Sequence, residues 1–171
     1  MRQHERIEQR RLELQAALDS AKSQAQRNKL GQFGTPTALA TDILHAARSL
    51  LPKGCPVRFL DPAFGTGAFY SALLRCLPAD RIEWAMGYEI DLHYGQPARE
   101  LWEGTPLVLT LGDFTTAVPP SDEKGKATLV VCNPPYVRHH HLDAPSKQRL
   151  RAASVRASGV DLNGLTGPWP A

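Results

Sequence analysis

Asn133-Pro134-Pro135-Tyr136 sets an amide side chain, a carbonyl on a stiff backbone and an aromatic face within four residues. Two consecutive prolines fix φ and remove two N–H donors, so the carbonyls there have few local partners. The same residues are also common in a turn that ends a strand, and the tetrapeptide alone does not separate the two readings. Three carboxylates upstream have positions that suggest a common site: Asp61 before the glycine turn Gly65-Thr66-Gly67, Glu89 about twenty residues further on, and Asp113 after a third apolar run. A turn with two glycines permits close backbone approach of a ligand. An acid at that distance beyond it suits the hydroxyls of a ribose. The turn is not a phosphate-binding P-loop, because the Gly-Lys-Ser/Thr ending is missing, and Tyr70 takes the place of the last glycine of a full G-x-G-x-x-G.

The elements that must position these residues can be read from periodicity. Val57–Leu60, Ile82–Tyr88, Leu107–Leu111 and Ala127–Cys132 are short apolar runs that predict buried strands, each followed by a helix or loop. Asp61, Glu89, Asp113 and Asn133 then stand at four successive strand ends, which is the pattern of one half of a doubly wound sheet, with ligands at its carboxyl edge. Asp113 also suits a simple helix cap. Ahead of the sheet, Gly31-Gln32-Phe33-Gly34-Thr35-Pro36 predicts a break followed by a helix with Thr35 as N-cap and Pro36 in its first turn. Leu39, Ile43, Leu44, Ala47, Leu50 and Leu51 would form its inner face. A helix start after such a turn offers backbone N–H groups to a carboxylate.

Residues 2 to about 29 hold no Gly or Pro and predict one long helix with a narrow apolar stripe of Leu14, Ala17, Leu18, Ala21 and Ala25. Its basic residues Arg2, Arg6, Arg10, Arg11, Lys22, Arg27 and Lys29 read as a solvated charged face, with contact to DNA phosphates as the sharper alternative. His139-His140-His141 are adjacent and cannot all face one ion in regular structure, so no metal is expected; with Arg138 they read as a polar or phosphate-touching rim. Residues 144 to 158 predict a weak basic helix with Lys147, Arg149, Arg151 and Arg156, and 161–171 a disordered tail.

The chain has 171 residues, 42% hydrophobic and 22% charged, with a net charge of +3, which suits a single domain with a core and excludes a fibrous or disordered chain. A mildly basic balance is compatible with a polyanionic partner. Cys55, Cys76 and Cys132 are scattered and lack metal or redox spacing. No apolar run approaches the roughly 18 residues needed to span a bilayer. These features predict a soluble, cytoplasmic protein with reduced thiols.

DPAFGTGAF, GYEID, GDF and NPPY, in this order and preceded by GQFGTP, resemble the class I S-adenosylmethionine-dependent methyltransferases, and among them the adenine-specific DNA methyltransferases of restriction–modification systems. The resemblance covers about residues 28 to 160. It implies an α/β, Rossmann-like, doubly wound, mostly parallel sheet, here incomplete and preceded by a helical segment. Residues 1–30 would be the amphipathic helix, 31–160 the partial cofactor-binding catalytic domain, and 161–171 the tail. Thr35 and its turn would hold the methionine carboxylate of S-adenosylmethionine, Asp61, Gly65 and Gly67 would border its methionine part and sulfonium, and Glu89 would hold the ribose hydroxyls. Asp113 and Phe114 would contact its adenine. Asn133 and the Pro134 carbonyl would accept from both N–H groups of a target amine, favouring a more reactive pyramidal nitrogen, while Tyr136 would stack on a flipped base. Double-stranded DNA is the implied partner. A target-recognition region would follow NPPY in such an enzyme, and a second chain is the candidate source of it and of the missing strands. The same tetrapeptide serves methyltransferases of guanine in ribosomal RNA and of glutamine in release factors, against which GQFGTP argues. An inactive DNA- or partner-binding remnant is the reading from another class.

Overall fold

The structure is a computed structural model that describes residues 3–136 and 144–161. Helices α1 (Gln3–Ser20), α2 (Gln24–Leu30) and α3 (Thr37–Leu50) precede β1 (Val57–Asp61), α4 (Ala68–Cys76), β2 (Ile82–Glu89), α5 (Leu92–Leu101), β3 (Leu107–Leu111) and β4 (Leu129–Val130), with α6 (Ala144–Ser158) last. Two compact units result: Met1–Ala21 with Gly34–Asn133, and Lys22–Phe33 with Pro134–Ala171.

The first unit is α/β. Its four strands run in the order β3-β2-β1-β4, and every pairing is parallel. Strand order reverses at β1, which lies between β2 and β4, so the topological switch point of the sheet falls at the carboxyl end of β1. The ladder pairs Asp61 with Gly87 and Glu89 with Leu111. β4 is shorter than the apolar run around it: only Leu129 and Val130 pair with Phe59 and Leu60. Thr128 and Val131 extend it by single bonds to the carbonyls of Arg58 and Leu60 (2.9 and 3.1 Å). Pro134 and Pro135, three and four residues beyond Val131, have no N–H to continue the ladder.

The core joins Val57, Phe59 and Ala85 from the sheet to Tyr70, Ala72 and Leu73 of α4, Ala40 and Leu44 of α3, and Trp102 after α5. The Tyr70 and Trp102 rings meet edge to face at 4.9 Å. Burial of this set in place of water is the main favourable term holding the sheet to its helices. On α3 the inner face is narrower than the hydrophobic pattern predicts, since Leu39 and Leu50 are 50% and 85% exposed.

Two expectations for the amino-terminal segment change. The single predicted helix is two helices, because Ser23 caps α2 in a capping box with Gln26: the Ser23 hydroxyl accepts from Gln26 N, and the Gln26 side chain accepts from Ser23 N. Nor does the stripe by itself dock α1: Leu14 and Leu18 are half-buried, but Ala17 is exposed. The buried residues of α1 are Glu8 and Arg11. Arg11, expected on a solvated basic face, is 1% exposed. Ile7, Leu14 and Leu18, partly buried, flank these polar residues on the inner face.

In the second unit, Gly31 ends α2 at φ +61 and Tyr136 N–H donates to its carbonyl at 3.3 Å. A Cβ on Gly31 would stand 2.3 Å from Tyr136 N, so glycine is needed here for the close approach of the backbone as well as for the left-handed turn. Arg151 of α6 forms an exposed ion pair with Asp161, just beyond the helix. His139–His141, Arg138 and 162–171 lie outside the described residues. No described helix is long and apolar enough to cross a membrane.

Candidate functional site

Asp61 ends β1 with no exposed surface. Its Oδ1 accepts from Ala63 N–H at 3.1 Å, while Oδ2 is buried with no hydrogen-bond partner. Burial, and then the charge of Glu89, push this carboxyl up to about 8, against the opposing Ala63 N–H. An orphaned carboxylate oxygen at a sheet switch point is the group that a cationic ligand would satisfy.

Glu89 ends β2 and closes the other side. Its Oε2 accepts from Gly65 N–H at 2.7 Å and its Oε1 from Asp91 N–H at 2.8 Å, so one carboxylate ties the glycine turn to the start of α5. Gly65 sits at φ +56, and the position a Cβ would take there has nothing within 4 Å, leaving open space against the backbone. Gly67 differs: at φ +89 its Cβ would stand 2.6 Å from Trp102 Nε1 and 2.7 Å from Phe64 Cζ. Of the two glycines, Gly65 faces open space and Gly67 is required by packing. Trp102 Nε1 donates to the Thr66 carbonyl at 2.9 Å and fixes the turn from the core side.

Asp113 follows β3 and caps the short 3-10 helix Phe114–Thr116, its Oδ1 accepting from Thr115 N (2.9 Å) and Thr115 Oγ1 (2.6 Å). The cap reading of this residue therefore holds, and it does not exclude a ligand role. Phe114 lies edge-on to Tyr88 with centroids 5.1 Å apart.

Asn133 follows β4 at the same edge. Its Nδ2 donates to Thr35 Oγ1 at 3.3 Å, across 98 positions of sequence. The donor end of the amide is directed at Thr35. Cys132, next in chain, has its thiol pushed up by burial and by the nearby charge of Asp61, so the ends of β1 and β4 converge. Thr35 is not the cap of α3: Pro36 holds that position without a side-chain bond, and the Thr35 hydroxyl is taken by Asn133. Pro134 and Tyr136 belong to the second unit, where Tyr136 is 68% exposed.

The first unit thus brings together Thr35, Asp61, Gly65, Glu89 and Asn133 along one sheet edge, with Asp113 at the end of β3. Missed by sequence reasoning were Glu8, Arg11, Gln15, Thr66 and Trp102, which hold this edge from behind. Spacing of 8, 11, 15 and 19 along α1 marks a helical face, but one of polar residues that hydropathy does not register. Among the described residues no group of three or more His, Cys, Asp or Glu could hold a metal ion.

No protein-family model matches the chain. Type II methyltransferase M.AccI of Acinetobacter calcoaceticus is 30% identical over 141 residues, which is 82% of this chain and 24% of that protein. The chain thus spans about a quarter of the length of this curated relative. Among solved structures, a Pyrococcus horikoshii protein described as a candidate RNA methyltransferase superposes with a TM-score of 0.51 at 23% identity, over 72% of this chain and 59% of that one. This likeness establishes the fold alone, a Rossmann-like parallel α/β sheet. By sequence, then, the chain resembles a methyltransferase over most of its length.

Proposed function

We propose that the chain carries the S-adenosylmethionine-binding and amine-activating part of a DNA methyltransferase that acts on the N6 amine of adenine, within a restriction–modification system. The observation that carries this reading is the unpartnered, fully buried Asp61 Oδ2 beside Glu89 at the sheet switch point, with Asn133 held at the same edge by Thr35. A donor with a ribose diol and a cationic sulfonium and ammonium suits this edge: Glu89 meets the diol, and a bound cation would draw the proton from Asp61 and satisfy its Oδ2. Open space beside Gly65 admits its approach to the backbone. The similarity to a Type II methyltransferase supports the same class.

In this reading Thr35 and its turn hold the methionine carboxylate. Asp61 offers Oδ2 to the cationic end, Gly65 and Gly67 shape the turn that borders it, and Glu89 accepts from the ribose. Asp113 and Phe114 take the adenine of the cofactor. Bound S-adenosylmethionine supplies a methyl group that is already activated by its sulfonium. What remains for the protein is position and acceptance of charge. Asn133 Oδ1 accepts from one N–H of the target amine and the Pro134 carbonyl from the other. Thr35, by engaging Nδ2, fixes the orientation of the Asn133 amide. Tyr136 stacks on the extruded base, and double-stranded DNA is the partner.

The test is transfer of a labelled methyl group from S-adenosylmethionine to duplex DNA, with calorimetry of cofactor binding alongside. Asn133→Ala should lower transfer by about 100-fold or more while leaving cofactor affinity within about twofold. Methylation of RNA or of a protein glutamine, with DNA untouched, would overturn the substrate, and no cofactor binding up to millimolar concentration would favour a non-catalytic DNA- or partner-binding protein.

A further inference from the structure

Glu8, Arg11 and Gln15 stand at i, i+3 and i+7 on α1, and together they reach both of the segments that border the proposed cofactor site, with Arg11 bonded to each. Glu8 accepts from Thr37 Oγ1 on one oxygen and from Ser71 Oγ on the other, both at 2.5 Å. Arg11 grips the same carboxylate through Nε and Nη2, both at 2.8 Å, and spends its remaining contacts on Thr37 Oγ1 and Thr66 Oγ1, each at 3.2 Å. Gln15 Oε1 accepts from Thr66 Oγ1 at 2.6 Å, and its amide carbon lies 3.0 Å from where a Cβ on Gly34 would stand.

Donors and acceptors balance around the set. Thr37 donates to Glu8 and accepts from Arg11; Thr66 donates to Gln15 and accepts from Arg11. A closed network of this kind has one arrangement, and it specifies geometry more than it adds stability, since well-packed apolar residues often replace a buried ion pair without loss. Thr66 is the residue between the two glycines of the turn, while Gly34 and Thr37 flank Thr35.

We propose that α1 is a positioning strut, whose Glu8, Arg11 and Gln15 hold the Gly34–Thr37 segment and the Gly65–Gly67 turn at the fixed separation that S-adenosylmethionine requires. This rests on the reading that those two segments hold the cofactor. The amino-terminal helix is then part of the cofactor site, acting from its far side, rather than an arm directed at nucleic acid.

Thr66→Val in the full chain tests it, because valine nearly matches threonine in shape, removes the shared hydroxyl and leaves the Glu8–Arg11 pair intact. Thr66→Ser keeps the hydroxyl. Without ligand, amide hydrogen exchange at Gly34, Thr35, Thr37 and Gly65–Gly67 should be faster by about tenfold in Thr66→Val, unchanged within β1 and β2, and restored in Thr66→Ser. By calorimetry the Kd for S-adenosylmethionine should rise by about tenfold in the valine variant and return in the serine variant. Exchange equal to wild type in the valine variant would overturn the strut. Faster exchange with unchanged Kd would overturn its link to the cofactor. A wild-type chain that binds no cofactor would instead refute the functional reading, and the exchange data would still say whether α1 holds the two segments.

Discussion

Asp61 and Glu8 are both buried carboxyl groups, and their surroundings drive them in opposite directions. Around Glu8, burial raises the pKa, but bonds from Arg11, Ser71 and Thr37 and the Arg11 charge outweigh it and bring the group to about 2. Around Asp61, one backbone N–H opposes full burial and the charge of Glu89, and the carboxyl goes up to about 8. The consequences for stability have opposite signs. Glu8 contributes stability that is present above 4.5 and lost as pH falls towards about 2. Folded Asp61 keeps a proton that the unfolded chain has lost, so its contribution is full below 3.8 and is lost as pH rises through about 8. Stability to urea should therefore fall between about pH 5 and pH 8, by up to about 1.4 kcal/mol per pH unit from this group. Asp61→Asn, which cannot ionise, should flatten that fall and leave the variant more stable than wild type at about pH 8. A slope that survives the substitution would assign it to another group.

The glycine turn and the helix it starts depend on elements remote in sequence. Gly67 opens α4 at φ +89, with Phe64 and the Trp102 indole packed where a side chain would begin. Gly67→Ala combines a left-handed alanine with a clash against two rings, at a cost of about 2 kcal/mol or more. For a chain of this size Tm should fall by about 4–8 °C, measured by circular dichroism. The turn's pattern of glycines was legible in the sequence because strand, turn and helix are contiguous there, and local sterics decide them. That Gly65 faces open space while Gly67 serves packing was not, since Trp102 reaches the turn only after an intervening strand and helix have folded. The break between α1 and α2 is a different case: Ser23 and Gln26 carry the capping box in plain sight, and the uninterrupted helical propensity around them concealed it.

At the scale of the whole molecule, the two units differ in how much they bury. The first holds the contiguous core from Ala40 to Leu129. Among the described residues of the second, only Gly31 and Ser154 are buried. Native-state hydrogen exchange should accordingly be slowest in β1, β2 and α4 and faster in α2 and α6 by about 100-fold or more. Equal protection across both units would show that the second has a stability not accounted for by its described packing. The sequence alone determined the strands and the candidate edge, because each acid or amide sits directly after an apolar run and strand ends are local events. Asp61, Glu89 and Asn133 needed no knowledge of long-range contacts to be singled out. Tertiary structure decided who supports them: which face of α1 docks, that Arg11 is buried on Glu8 and two threonines, and that Thr35 receives the amide of Asn133 from 98 positions away. Hydropathy ranks Glu, Arg and Gln as outward residues. Only when their donors and acceptors are matched by groups from three other segments does burial become cheaper than solvation, and that matching exists nowhere but in the folded chain.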